Sequence, residues 1–491
     1  MTTSDRAPVL VGLGEVICRP EEGPAPDPSV LMAEAARRAA ADARSEALLQ
    51  RLDVVAVAPS AGWPASDPGR IVCEHLGLQA RTLRSSMQGG NGPQLLLGAL
   101  GSRIAAGQLD SAVVCGAEAL YTAARAGGLP PHWAAPDTGD SADEVLEGEA
   151  APGTAYETEV GIIAPIMAYP LIENAIAHAR EEGVAEHLAM ISELWAGFSE
   201  VAARQPCAWA AEPHTAAEIA QVAPSNRLVT HPYRKLHNAN IQVDQAAAVI
   251  VCSVEHARAL GVPPERWVFL HASAAATDEW NLSERNRLDR SPAIAACASA
   301  LFEHARIGPE DIELIDLYSC FPAAVQLAAR ELGLDLRRPL TCTGGLTFFG
   351  GPGNNYATHG VIAVARALRE APEETLGLAS ALGWYATKHA IGVYGNRPPA
   401  GEFAAIEPPV ARPSPRVVAP AGSGYTATAE TATVIYERDG SPSYGILFAL
   451  LDDGRRVLGT TRETDVLEAV AQDGFLGAPV EIAPDRGFAP A

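Results

Sequence analysis

Apolar positions along this chain gather into short continuous runs, and longer stretches with helical spacing separate them. Residues 8–14 (Pro-Val-Leu-Val-Gly-Leu-Gly), 54–58 (only Val and Ala), 111–116 (Ser-Ala-Val-Val-Cys-Gly) and 246–251 read as strands buried on both faces of a sheet. Between them Ser29–Ala41 predicts a helix with Ser29 as N-cap, and Gly92–Ala106 predicts another, closed at Gly107. After the turn Gly261-Val262-Pro263-Pro264 the alternation resumes. Strands are expected at 267–272, 313–317 and 375–380, and helices at 291–305, 322–332 and 358–370. Such alternation predicts βαβ units and an α/β protein. The two series echo each other in pattern. Gly89-Gly90-Asn91-Gly92 opens a helix that leads to a strand, and the turn from Gly350 to Asn355 does the same.

Other segments break this rhythm. Residues 130–160, rich in Pro, Gly, Asp and Glu, read as a loop, and helices follow at 163–180 and 185–203. The division expected is a first half at 1–255 with a helical insertion over about 130–235, and a second half at 256–405. A stiff linker at 406–424 carries Pro408, Pro409, Pro413, Pro415 and Pro420, and a small β unit follows at 425–491. In that unit alternation at Thr426–Glu437 and Tyr444–Leu451 flanks Asp439-Gly440, a hairpin signal, and Asp452-Asp453-Gly454 is a second one.

Composition narrows the partners. A chain of 491 residues exceeds one core, so two to four domains are expected. A net charge of -23 repels phosphate backbones, which argues against nucleic acid but leaves room for an anionic coenzyme in a locally positive pocket. The start, Met1 to Arg6, lacks the basic region and apolar core of a secretion signal. No apolar run approaches the roughly 18 residues of a membrane helix. A cytoplasmic protein without a membrane span is expected. The eight cysteines include no C-x-x-C pair, so neither a zinc site nor a disulfide framework is expected.

Four places could carry chemistry. The Gly89–Gly92 turn, with Asn91, can hold an anion or oxyanion through backbone N–H groups at a helix start, or can simply be a tight turn needing positive φ. Asp316-Leu317-Tyr318-Ser319-Cys320-Phe321 ends an apolar strand, where a phenol could polarise a carbonyl or exchange a proton if its pKa were lowered. Gly344-Gly345 to Gly353 is a glycine-rich turn followed by Asn354, Asn355, Tyr356 and His359. Ser380-Ala381-Leu382-Gly383 leads to Tyr385, Lys388 and His389, which form either a polar site or a solvated turn.

Taken in this order and spacing, the four resemble the motifs of the thiolase superfamily over about residues 8–400. The resemblance extends to its thiolase-like type one branch, because of the extra C-terminal unit. It implies the thiolase fold, a duplicated five-layer α/β/α/β/α core, with a small C-terminal β-barrel domain of OB-fold kind. It implies an acetyl-CoA acetyltransferase-like acyltransferase of lipid thioesters that takes coenzyme A as substrate or ligand, uses no further cofactor, and exists as monomer or homodimer. The catalytic residues of that family are nonetheless missing. Gly89, or Gly90 after a slip of one, stands for the nucleophilic cysteine. Tyr318 and Gly351 stand for histidines, and Ala381 for the second cysteine.

The candidates are therefore Tyr318, His359 and His389 for catalysis. Gly89, Gly90, Asn91, Gly350, Gly351, Asn355 and Lys388 are candidates for substrate, and Arg234, Lys235 and His237 for coenzyme A phosphates. A retro-aldolase using Tyr318, in the manner of steroid side-chain aldolases, and a non-catalytic coenzyme A-binding module are the alternatives.

Overall fold

The computed structural model describes residues 4–491 apart from 137, 138, 149, 152, 373 and 412. Met1, Thr2 and Thr3, part of the stretch read for a leader signal, lie outside it.

The first half contains β1 (Pro8–Ile17), β2 (Val54–Ala58), β3 (Arg81–Arg84), β4 (Ser111–Ala119) and β5 (Asp244–Ser253), paired in the order β3-β2-β4-β5-β1. The second contains β6 (Val268–Thr277), β7 (Ile312–Asp316), β8 (Leu376–Gly383) and β9 (Lys388–Gly395), in the order β7-β8-β9-β6. Strand sense repeats. β2–β4 and β7–β8 are parallel, β4–β5 and β8–β9 antiparallel, and β5–β1 and β9–β6 antiparallel. The halves are therefore duplicates in topology, and they join where β1 meets β6 at Val9–Phe269 and Leu10–Val268.

The helices that layer these sheets are α1 (Pro28–Asp42), α2 (Gly92–Ala105), α3 (Pro165–Ala179), α4 (Val184–Ala202), α5 (Pro292–Ala305), α6 (Pro322–Glu331) and α7 (Tyr356–Glu370). Helices α2 and α7 pack against strands of both halves. Their core joins Leu96, Leu97 and Leu100 to Val361, Ile362 and Val364. Helix α1 covers the outer face of the first sheet, and α5, with α6 beside it, the outer face of the second. This gives the five layers, and buries α2 and α7 on all sides.

The duplication breaks at one place. Between β8 and β9 lie only residues 384–387, whereas residues 120–243 lie between β4 and β5. That long excursion holds α3 and α4 and starts directly at the end of β4, earlier than the expected 130.

The C-terminal unit is β10 (Tyr425–Tyr436), β11 (Pro442–Leu450), β12 (Arg456–Thr461), β13 (Pro479–Ile482) and β14 (Phe488–Pro490), in the order β12-β11-β10-β13-β14. The two ends of this order approach where Thr460 N–H donates to Arg486 O (2.8 Å), without a ladder between them among the described residues. The unit does not stand apart. Residues Leu228–Thr230 of the insertion extend its sheet, with Thr230 opposite Ile435. Thr431 Oγ donates to Leu171 O (2.6 Å), and Asn174 Nδ2 to Ala432 O (2.7 Å). Part of the segment read as a linker is also pinned, since Ala404–Ile406 pairs with β6 and Arg416 donates to Asn286 O.

Arg456 closes the contact with the second half. It is fully buried, forms two 2.7 Å bonds to Glu430, and donates to Ser283 O (2.6 Å) and Arg285 O (2.7 Å). Removing one partner of a buried pair strands the other charge and the carbonyls. Arg456→Met is therefore expected to cost about 3–5 kcal/mol in urea unfolding. A loss below about 1 kcal/mol would show that the interface does not depend on this guanidinium.

Candidate active site

The glycine turn at 88–92 begins α2, with Pro93 in its first turn. Gly89 has φ +140°, a conformation that glycine alone adopts without strain. Its N–H donates to Asn354 Oδ1 (2.9 Å), so it is not free for an oxyanion. A Cβ on Gly89 would meet Lys388 Nζ at 2.6 Å. A Cβ on Gly90 would meet Tyr318 Cζ at 2.6 Å, Leu382 O at 2.7 Å and the Tyr318 hydroxyl. The space beside both glycines, where the resemblance puts a nucleophilic side chain, is thus filled by two side chains of the second half, Lys388 and Tyr318, with Asn91 of the same turn also against Gly89. Topology delivers them. Tyr318 sits where β7 ends before α6, and β9 opens with Lys388 and His389, paired to Gly383 and Leu382 of β8.

Tyr318 is held by its N–H donating to Ser380 Oγ (2.9 Å) and by an edge contact with Tyr356 at 5.4 Å. Its hydroxyl makes no hydrogen bond among the described residues. Burial pushes the phenol well above its usual range, so it stays protonated at neutral pH. The pKa is therefore raised, where catalysis by exchange required it lowered, and Tyr318 can act only as a donor.

His389 pairs through Nε2 with Asp278 Oδ2 (3.0 Å), and its Nδ1 has no partner among the described residues. Burial pushes the Asp278 carboxyl up, but the imidazole beside it, helped by Arg285 and Ser291, outweighs that and holds it below the usual value. Ser291 is not a nucleophile in a triad. Its hydroxyl bonds Asp278 and caps α5 by accepting from Ile294 N–H (3.1 Å). Tyr318 and His389 line one narrow cavity with Ser380, Ala381, Leu382 and Ile294, room for little more than a water molecule.

Lys388 is not in a solvated turn. It is 5% exposed, at the start of a fully buried strand. Its Nζ lies 2.9 Å from Ser86 Oγ, 2.9 Å from Gln88 O and 3.0 Å from Glu147 Oε2.

Other candidates lie elsewhere. His359 is fully buried on α7, with Nδ1 2.6 Å from Glu15, which also binds Arg366 at 2.8 Å. It belongs to that ion cluster and does not line the cavity of Tyr318. Asn355 spans from α7 to β4, donating to Gly116 O (2.6 Å), and serves as a strut. Its neighbour Asn354 is the residue that reaches the Gly89 turn, also donating to Pro59 O and Met87 O. Gly351 donates to Asn240 O (2.9 Å), and a Cβ there would meet Leu346 at 3.3 Å, a tight contact, and Asn240 O at 3.5 Å. Gly350 has φ +113° and backs onto Gln245.

Arg234 and His237 are engaged within the protein, and Arg234 N–H donates to His237 Nδ1 (3.3 Å). Arg234 donates to Ala220 O and Pro232 O, His237 is buried and held neutral by desolvation at about 3, and Lys235 is exposed. Cys320 and Cys115 are buried, and desolvation pushes both thiols up to about 12, so neither is a poised nucleophile. Asn354 was read only as part of its turn, and Glu147 and Asp278 went unread in the sequence. Each acts through a partner more than 100 residues away, and no local pattern marks them.

A duplicated five-layer core, with a glycine turn opening an inner helix opposite the strand ends of the second half, defines a thiolase-fold protein. Comparison with known proteins gives the narrower assignment. A monomeric SCP2-thiolase-like protein type 1 from Mycobacterium smegmatis superposes with a TM-score of 0.83 at 30% identity, covering 99% of this chain and 100% of that one. The family described as the thiolase-like protein type 1 additional C-terminal domain matches residues 408–487. The chain belongs to the SCP2-thiolase-like protein type 1 family. An acetyl-CoA acetyltransferase of Methanothermobacter thermautotrophicus is 31% identical over 179 residues, 36% of this chain and 43% of that protein. The chain thus spans less than half the length of the curated relatives it matches. The Ltp2-ChsH2(DUF35) aldolase superposes with a TM-score of 0.61 at 17% identity over 79% of this chain and 98% of that one, a likeness of fold. No helix among the described residues is long and apolar enough to cross a membrane.

Two predictions follow from the packing. Gly90→Ala is expected to cost about 1–3 kcal/mol by overpacking, and combining it with Tyr318→Ala to cost less than the two single losses added. Additive losses in a denaturation cycle would place the tyrosine elsewhere. Glu118 at the end of β4 is fully buried, and desolvation raises its carboxyl to about 7 although Ser60, Ala61 and Gly62 donate to it. A folded-state pKa above the unfolded value means that the folded protein holds this proton more tightly. Stability should therefore fall as pH rises from about 4.5 to about 7, by roughly 3 kcal/mol, and Glu118→Gln should flatten that slope. An unchanged slope in the variant would assign the pH dependence to other groups.

Proposed function

We propose that this chain binds an acyl-CoA thioester and acts on it without an acyl-enzyme, cleaving the Cα–Cβ bond of a β-hydroxyacyl group by acid–base chemistry. The observation that carries the reading is the pair at the cavity: a protonated Tyr318 and a His389 backed by Asp278, both with a ring atom or hydroxyl unengaged. Acyl transfer through a thioester enzyme needs a nucleophile beside Gly89 or Gly90, and that space is occupied. Retro-aldol cleavage needs only a base and a donor to the enolate oxygen.

In this scheme His389 Nδ1 takes the β-hydroxyl proton. The oxygen's electrons form a carbonyl at Cβ, the Cα–Cβ bond breaks, and its electron pair passes into the thioester as an enolate. Tyr318, which stays protonated, donates a hydrogen bond to the enolate oxygen, and the imidazolium returns its proton to Cα. The products are a shortened acyl-CoA and an aldehyde or ketone, and the enzyme ends as it began. Of the three expected phosphate contacts Lys235 is the exposed one, and it is the one left to meet a phosphate. Pairing of Glu144–Val145 along the outer side of β3 covers that sheet edge within the chain, which supports a monomer over a homodimer.

The dense filling of the glycine turn favours a second reading, a thioester-binding protein without turnover. The two separate in one experiment. Incubation with 3-hydroxyacyl-CoA substrates, read by mass spectrometry, should yield shortened acyl-CoA. Tyr318→Phe and His389→Gln should each lower the rate between about 100- and 10,000-fold. Binding by calorimetry with no cleavage would leave the second reading standing, and a covalent acyl adduct on the protein would sink both.

A further inference from the structure

The carboxylate of Glu147 sits in a cradle that it did not build. Lys388 Nζ lies 3.0 Å and Ser86 Oγ 3.1 Å from Oε2, and Asn91 Nδ2 donates to Oε1 at 3.1 Å. These three groups come from both halves of the core and are 5%, 2% and 2% exposed. Their occupant hangs from the surface, with 23% of its side chain exposed. The segment that carries it is tied to the sheet edge by Asp143 to Thr82, by Glu144 to Arg103, and by Leu146 N–H donating to Arg84 O (3.0 Å). Glu147 comes one residue after the last tie, so its side chain can swing out while the backbone stays.

One polar atom of the cradle is left over. Asn91 Oδ1 is buried without a hydrogen-bond partner at the close seam of Gly89 and Gly383, 2.5 Å from where a Cβ of either would stand. Glu147, an acceptor only, cannot satisfy it. A cation, a hydroxyl, an amide N–H and a spare acceptor, converging beside the turn of the thiolase fold, suit a carboxylate that arrives with a donor of its own.

We infer that Ser86, Asn91 and Lys388 form a binding site for the carboxylate of a small organic acid or of a carboxylated acyl group, and that Glu147 is its built-in occupant, displaced when such a ligand binds. Replacing one carboxylate by another conserves the charge pairing of Lys388, so the exchange leaves no buried cation unpaired. Glu147 is tethered and competes at high local concentration, so a free acid gains the site easily only when Glu147 is gone. The inference stands apart from the acid–base reading, because its test reads stability and not turnover.

The test is chemical rescue on the full chain. Glu147→Ala empties the cradle and is expected to lower Tm. Sodium acetate should raise it again by several degrees, saturably, where sodium chloride at equal ionic strength does not. The wild type should show no such saturable rise, and Glu147→Ala combined with Lys388→Met should lose it. Glu147→Ser, which also empties the cradle but keeps a polar side chain, serves in parallel if the alanine variant does not fold. Equal effects of acetate and chloride, or rescue that survives Lys388→Met, would overturn the proposal.

Discussion

Everything in this molecule depends on how closely its five layers approach. Helices α2 and α7 are enclosed by sheets on both sides, and α1 lies so near β1 that a Cβ on Gly14 would come within 2.6 Å of Ala39 N. At such spacing the closest approaches admit only glycine. Gly98 passes Ser273 and Gly116 accommodates Asn355 for the same reason. The abundance of glycine and the scarcity of aromatic residues are therefore the compositional imprint of layer spacing. The site obeys the same rule. Where backbone lacks side chains, the opposite half fills the gap, and at Gly89 and Gly90 the filling is done by Lys388 and Tyr318. Where the resemblance places a nucleophile, at Gly89 or Gly90, the volume is therefore taken up by packing across the two halves.

The strands of the core were legible because they are buried on both faces, which turns them into apolar runs that need no periodicity to be seen. The exceptions are instructive. Strand β9 begins with Lys388 and His389, polar residues that it carries into the core because each has a partner there, Glu147 for one and Asp278 for the other. It therefore read as a polar cluster after a strand rather than as a strand itself. Strand β3, Arg-Thr-Leu-Arg, is short, lies near the sheet edge and keeps its arginines toward solvent or neighbours, so it left no apolar run.

The site was legible only in part, and for a geometric reason. Tyr318 was found because it stands at a strand end, a position that chain order reveals. Its relation to Gly90 was not, because two halves must fold before the pair exists. Asn355 was chosen where Asn354 acts. Adjacent residues at the start of a helix point in different directions, one toward the Gly89 turn and the other toward β4. His359 was drawn to the site by closeness in sequence, and one turn of helix α7 carries it instead to Glu15.

The contacts between the insertion and the C-terminal unit have a consequence for how the chain comes into being. Leu171 and Asn174 on α3 find their partners, Thr431 and Ala432, about 260 residues later. During synthesis the amino-terminal half and its insertion leave the ribosome long before the sheet that covers them. An apolar flank, and a strand edge at Leu228–Thr230, must wait uncovered until the strand that carries Ile435 emerges. The β unit from Tyr425 is thus less an appendage than a cover, and a nascent chain stalled before it would present to the cell a surface that invites aggregation or a chaperone.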